Sequence, residues 1–139
     1  MRRLRIVLDT NVLVSALMGG GGPPDEVVQL VLRHEALLLI DSRIIAEYDE
    51  ITARPKFSFT KARRFEVLDA IVAIAEPVIA SLMRLSLPDP DDRLFIEVAV
   101  AGAADYVITG NVKHFAPLPV SLNVQVRTPR QLMDDLRRA

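Results

Sequence analysis

Three short runs with no polar interruption constrain this chain most: Ile6-Val7-Leu8, Ala36 to Ile40, and Tyr106-Val107-Ile108. A strand with one face in water alternates apolar and polar residues. A strand apolar at every position is buried on both faces, as central parallel strands are. The runs are separated by helix-forming stretches, so the chain reads as βα units with a parallel sheet between helical layers.

The remaining elements follow from local signals. Strand one covers Arg5 to Leu8 and Asp9-Thr10-Asn11 follows at once. Val12 to Met18 reads as a helix stopped by Gly19 to Gly22, Pro23 and Pro24. Asp25 is the expected N-cap of a helix from Glu26 to Arg33, and Asp41 or Ser42 that of a helix from Arg43 to Thr52. Thr60 caps a helix from Lys61 to Ala75, with Phe65, Leu68, Val72 and Ala75 on its apolar face. Pro77 breaks it, and Val78-Ile79 is the expected third strand. Pro88 and Pro90 mark a loop before an apolar helix from Asp91 to Ala103. Tyr106 to Thr109 is the fourth strand, Val124 to Val126 the fifth, and Pro129 to Arg138 a closing helix.

A chain of 139 residues is expected to form one domain, spanning 1–139. Its formal net charge is -1, so a nucleic-acid partner would require charges sorted into patches. The absence of cysteine excludes a disulfide framework, a zinc–thiolate site and thiol catalysis. Asp9 interrupts the N-terminal apolar run too early for a secretory signal, and no stretch approaches the ~18–20 apolar residues of a membrane span. The expectation is a soluble, cytoplasmic protein.

In parallel α/β sheets the site lies beyond the carboxyl ends of the strands, where strand order reverses. Acidic residues gather at that rim. Asp9 follows the first strand, Asp41 follows the second, and Glu47 lies in the helix beyond. Asp89, Asp91 and Asp92 crowd the start of the apolar helix, and Asn111 follows the fourth strand. On that helix 92, 95, 96, 99 and 103 share one face. Phe95, Ile96, Ala99 and Ala103 bury the face, which carries Asp92 to the rim; Asp91 lies about 100° around and points elsewhere. Glu97 is expected at the surface or in a supporting place. Two carboxylates ~6 Å apart at an effective dielectric of ~20 repel by about 3 kcal/mol. Such a cluster calls for a cation, and oxygen ligands suit a hard divalent ion such as Mg²⁺. That ion can activate a water and neutralise a phosphate, chemistry that needs neither cysteine nor a histidine pair.

These residues resemble a known family. Ile6-Val-Leu-Asp-Thr-Asn-Val-Leu13, then Ser42, Ile45, Glu47 and Tyr48, then Asp89-Pro-Asp-Asp92 running into Phe95-Ile-Glu-Val-Ala99, then Asp105-Tyr-Val-Ile-Thr-Gly-Asn111 with His114-Phe115, taken in that order, resemble a PIN-domain protein. The likeness is to the VapC-related toxins of bacterial toxin–antitoxin modules and runs from about residue 4 to 130. It implies a PIN-like α/β three-layer sandwich with sheet order 3-2-1-4-5. It implies an Mg²⁺- or Mn²⁺-dependent endoribonuclease that hydrolyses RNA phosphodiesters and is inhibited by a partner antitoxin. By motif, Asp9, Glu47 and Asp92 are the implied catalytic metal ligands. Asn111 stands at a fourth position that is often Asp, which lowers the negative charge of the site by one and makes a catalytically weakened module, binding RNA or a protein partner, the alternative. Thr10, Asn11, Thr109 and Asp89 fit supporting roles.

Residues 54–64, RPKFSFTKARR, hold five basic residues and no acid, with Phe57 and Phe59 interleaved. Arg54, Lys56, Lys61 and Arg64 are therefore candidate RNA-binding residues, with base stacking on the two rings. Val27, Val28, Leu30, Val31 and Leu32 exceed one buried face, so the second helix is a candidate dimer interface, with core packing the equal alternative.

Overall fold

The structure is a computed structural model and describes residues 2–138. Its centre is a five-stranded sheet in the order β3-β2-β1-β4-β5. The strands are β1 (Leu4–Leu8), β2 (Ala36–Ile40), β3 (Glu76–Pro77), β4 (Tyr106–Ile108) and β5 (Gln125–Arg127). Every neighbouring pair is parallel, with Ile6 opposite Leu38 on one side of β1 and opposite Tyr106 on the other. The three apolar runs are thus the three central strands, and Ile6, Val7, Leu8, Leu38, Leu39, Val107 and Ile108 have no exposure at all.

Six helices cover the sheet: α1 (Thr10–Met18), α2 (Pro23–Leu32), α3 (Ser42–Thr52), α4 (Lys61–Ile74), α5 (Arg93–Ala101) and α6 (Pro129–Arg138). On one side α5 packs across β1, β2 and β4; α1, α2, α4 and α6 pack among themselves and onto β2 and β5. α3 touches α1, α4 and α5 and so bridges the two groups.

Several expectations are refined. α2 begins at Pro23 behind Gly22, not at Glu26 behind an Asp25 cap. Proline suits the first turn, where its missing N–H has no partner to lose. The tight connection before it is possible because Gly19, Gly20 and Gly21 all have φ between 67° and 101°, a region other residues avoid. The third strand is Glu76–Pro77, two residues earlier than Val78-Ile79, though Val78 N–H still donates to Ile40 C=O at 2.8 Å. The apolar helix starts with a 3₁₀ turn over Pro90–Asp92 and ends at Gly102. The fifth strand is shifted by one residue, to Gln125–Arg127.

The buried face of α4 is Arg64, Leu68 and Ile71, and Phe65 is half exposed. The helix is rotated from its expected face because the Arg64 guanidinium is drawn inward, donating to Thr52 Oγ1 at 2.8 Å and to the Asp49 main-chain oxygen at 2.8 Å, and pairing with the Asp49 carboxylate. Val27, Val28, Leu30 and Val31 are all buried, packed against α1, α4, α6 and β2. Leu32 is partly buried against the same core, so this helix follows the core-packing alternative.

Candidate functional site

The sheet order reverses at β1, whose neighbours are β2 on one side and β4 on the other. Asp9 and Thr109 leave the carboxyl ends of β1 and β4 side by side at that point. The Thr109 hydroxyl donates to Asp9 Oδ2 at 2.8 Å and accepts from Asn111 N–H at 3.1 Å. Asp9 is 7 % exposed and Thr109 fully buried. Although Asp9 stands at the N-cap of α1, its side chain makes no capping hydrogen bond of ordinary geometry. Burial raises its pKa, while the Thr109 hydroxyl, the Thr10 and Asn11 main-chain N–H groups and His114 pull it back down.

α3 delivers Glu47. Asp41 caps the helix, its Oδ1 accepting from Ile44 N–H at 2.9 Å. Asp41 is thus spent on the helix start. One residue beyond Glu47, the fully buried Tyr48 donates its hydroxyl to Leu8 C=O at 2.6 Å. This bond ties α3 to the last residue of β1, immediately before Asp9. Glu47, half-buried, accepts a hydrogen bond from the Thr10 hydroxyl. Burial raises the Glu47 pKa, the Thr10 bond opposes this, and Asp9, Asp91 and Glu50 push it up again.

Asp92 closes the 3₁₀ turn before α5. Asp89 caps that turn, its Oδ1 accepting from Asp91 N–H at 2.9 Å, and Asp91 is exposed. Of the three clustered aspartates, Asp92 is the one turned inward. Its pKa is raised to about 6 by burial first, then by Asp9 and Asp89, against an opposing pull from His114, with Glu47 adding to the rise. Asp9 raises the pKa of both Glu47 and Asp92, and Glu47 adds to the rise at Asp92, so the three share one electrostatic neighbourhood.

The neighbourhood includes Asn111 and His114 at its open edge. The Asn111 amide nitrogen lies 3.0 Å from His114 Nε2, and His114 Nδ1 is 4.0 Å from Asp92 Oδ2. Asn11, exposed, accepts from Gly110 N–H at 3.1 Å and so staples the start of α1 to the turn after β4. His114 and Tyr48 gain site-building roles that their sequence positions alone did not carry.

Asp9, Glu47 and Asp92 offer carboxylate oxygens, a donor type that suits a hard divalent cation. The spacing does not: among the described residues no group of three or more His, Asp or Glu side chains closes on a point that could hold a metal ion.

Two further surfaces adjoin the site. A cleft of about 540 Å³ runs between α3 and the start of α5, lined by Arg43, Glu47, Arg54, Asp91, Arg93 and others. A groove of about 570 Å³ lies between α3 and α4, with Ile45, Tyr48, Phe65, Leu68 and Val72 forming its walls and Asp49 and Asp69 its acidic edge. In the basic segment Arg54, Lys56 and Lys61 are exposed, but Arg64 is buried and Arg63 donates to the Leu17 and Ala16 carbonyls at the end of α1. Phe57 and Phe59 stack on each other at 5.6 Å, with Lys56 Nζ 5.3 Å from the Phe57 ring centre.

Among curated proteins, the chain is similar to an uncharacterised Methanocaldococcus jannaschii protein, MJ1680, 20 % identical over 146 aligned residues that cover 98 % of this chain and 94 % of the relative. Among solved structures it resembles the crystal structure of VapBC2 from Rickettsia felis bound to a DNA fragment from their promoter, with a TM-score of 0.60 and 19 % identity over 90 % of this chain and 98 % of that one. That likeness is one of fold. The sequence pattern of the PIN domain matches residues 5–113, and with the sheet order and the acidic rim already described, the chain belongs to the PIN-domain family.

Proposed function

We propose that the chain is a PIN-domain module that binds RNA or a partner protein beside a weakened metal-dependent phosphodiesterase site. One observation carries this reading. Asp9 and Glu47 are near enough to Asp92 to raise its pKa, yet among the described residues no three acids close on an ion. The fourth position, Asn111, is neutral and directed to His114. The chain's own groups still orient what they hold. Thr109 aims Asp9, Thr10 aims Glu47, and the raised Asp92 pKa lets that carboxyl carry a proton near pH 6. Without a cation these carboxylates repel a phosphate, so an RNA strand would be held by the basic surface beside them and not by the acids themselves.

RNA binding is supported by continuity of surface. Arg54 lines the cleft that holds Glu47 and also the small pocket beside Phe57 and Phe59. A backbone crossing the acidic pocket would therefore meet Arg54, Lys56 and Lys61 next. A protein partner is supported by the apolar α3–α4 groove. An antitoxin-like segment with apolar side chains and basic neighbours would suit its walls and its Asp49–Asp69 edge.

A second reading is favoured by the same electrostatics: a fully active Mg²⁺- or Mn²⁺-dependent endoribonuclease, the toxin of a toxin–antitoxin pair. Three carboxyls whose pKa values are all raised form a pocket that a divalent cation would stabilise. Calorimetry with Mn²⁺, paired with cleavage of single-stranded RNA, separates the two. The module reading expects binding weaker than millimolar and little cleavage. Tight Mn²⁺ binding, with cleavage abolished by EDTA and by Asp9→Asn, would replace it with the endoribonuclease.

A further inference from the structure

Glu97 is the most deeply buried acid among the described residues, its side chain wholly out of solvent. It lies in α5, five residues beyond Asp92, and three groups converge on it. Arg43 Nη1 donates to Oε1 at 2.6 Å, Met83 N–H donates to Oε2 at 2.6 Å, and Arg93 Nε lies 3.4 Å from Oε2. The other side of the Arg43 guanidinium donates to Asp41 Oδ2 from Nε at 2.9 Å. Arg43 is therefore held from both sides, by the cap of its own helix and by a carboxylate on another.

The spacing along the helices gives this ion pair its consequence. Arg43 and Glu47 are four residues apart on α3, so they share a face one turn from each other. Glu97 and Arg93 stand in the same relation on α5, and Asp92 precedes Arg93. The two helices meet with Arg43 against Glu97 at one rung and Glu47 beside Asp91 and Asp92 at the next. Glu47 feels the charge of Asp91, and Asp92 that of Glu47. The second rung is repulsive and tends to part the helices. The first is attractive and sits one turn away.

Stability alone does not explain a carboxylate here. Desolvating it costs several kcal/mol, and an apolar side chain of similar volume commonly holds a fold as well or better. What an apolar contact cannot do is fix a distance, because it slides. A charge-assisted hydrogen bond of 2.6 Å does. The third partner, Met83, belongs to the segment that runs from β3 into Asp89–Asp92. Among the described residues, that segment makes no main-chain hydrogen bond to another main-chain group from Ile79 to Pro88. The Met83–Glu97 bond is its polar anchor to α5.

We propose that Glu97 is a positioning residue: through Arg43 it sets the spacing between α3, which carries Glu47, and the turn that carries Asp92, and through Met83 it anchors the segment entering that turn. Its importance for function rests on reading Glu47 and Asp92 as the working carboxylates; the spacing itself does not.

The test uses the full chain. It has no cysteine, so nitroxide labels at Glu50→Cys and Val100→Cys, exposed positions on α3 and α5, are the only ones. Glu97→Gln keeps the shape and an acceptor for Met83 but loses the charge facing Arg43; Glu97→Leu loses both. Glu26→Gln, which removes one of the two carboxylates beside the distant Arg137, is the control. The expected result is a longer or broader label-to-label distance in both Glu97 variants, with Glu26→Gln unchanged and Glu97→Gln still folding cooperatively. If the parent chain binds Mn²⁺ alone in a calorimetric titration of the folded proteins, Glu97→Gln is expected to bind it about tenfold or more weakly, a change that a purely stabilising residue would not produce. An unaltered distance in Glu97→Gln overturns the proposal, and that variant decides if Glu97→Leu fails to fold. If the parent chain takes up no Mn²⁺, the metal reading of the pocket falls and the label distance still decides the role of Glu97.

Discussion

Asp92 bears the heaviest electrostatic load of the acidic pocket. Burial and the nearby Asp9, Asp89 and Glu47 raise its pKa from 3.8 to about 6, and His114 only partly offsets them. The folded chain therefore holds a proton on Asp92 through a range in which the unfolded chain has released it. Stability falls with rising pH wherever the folded state binds more protons. The contribution of Asp92 is fully present below its unfolded pKa and is lost as pH climbs through about 6. Asp105 acts with the opposite sign, because Arg2 holds its pKa down, and its contribution is lost on acidification instead. In EDTA, the denaturant midpoint should decline between pH 4 and 7, and Asp92→Asn should flatten that decline. It should not abolish it, since Asp9 and Glu47 are shifted in the same direction. Parallel profiles for the parent chain and Asp92→Asn would show that Asp92 is not held in this environment.

At the scale of elements, the pocket is as precise as the anchoring of α3 and α5. α3 is fastened at its start by the Asp41 cap, in its middle by the Tyr48–Leu8 bond, and near its end by Thr52, whose hydroxyl donates to Tyr48 C=O and accepts from Arg64. α5 is fastened at its far end by close approach. A Cβ at Gly102 would lie 2.7 Å from Leu39 Cδ1 and 3.1 Å from Val78 Cγ2, so the helix end meets β2 and the start of the 78–88 segment with no room for a methyl group. Gly102→Ala should destabilise the fold by about 1–3 kcal/mol through overpacking, read by urea unfolding. The backbone there has an ordinary negative φ of -92°, so the penalty is one of space and not of conformation. An unchanged midpoint would mean that α5 can lift away from β2 freely.

At the scale of the whole molecule, a formal charge of -1 gives no general attraction to RNA, so binding must come from sorted patches. Acids line the pocket at the reversal of strand order, and Arg54, Lys56 and Lys61 are exposed beyond it. Charge reversal of Lys56 and Lys61 should weaken RNA binding and lower the slope of log affinity against log salt by about 0.7 for each phosphate of a single strand that the protein no longer neutralises. Fluorescence anisotropy at several salt concentrations would measure it, and an unchanged slope would remove this loop from the RNA path. Arg64 is unsuited to the experiment, because its reversal would bury an acid beside Asp49. Much of this architecture is written locally. Uninterrupted apolar runs specify the central strands, Thr60 and Asp41 specify helix starts, and the order of motifs specifies the family. Such signals act over a few residues through backbone geometry, periodicity and capping, so they are legible without a fold. The inward turn of Asp92 beside an exposed Asp91, the engagement of Arg64, the burial of Glu97 and the open spacing of the carboxylates were decided only by tertiary packing. Each joins groups from separate elements, 54 positions apart for Arg43 and Glu97 and 100 for Asp9 and Thr109. Coulomb energy and desolvation depend on distance in space, which the sheet and its helices set after local structure has formed.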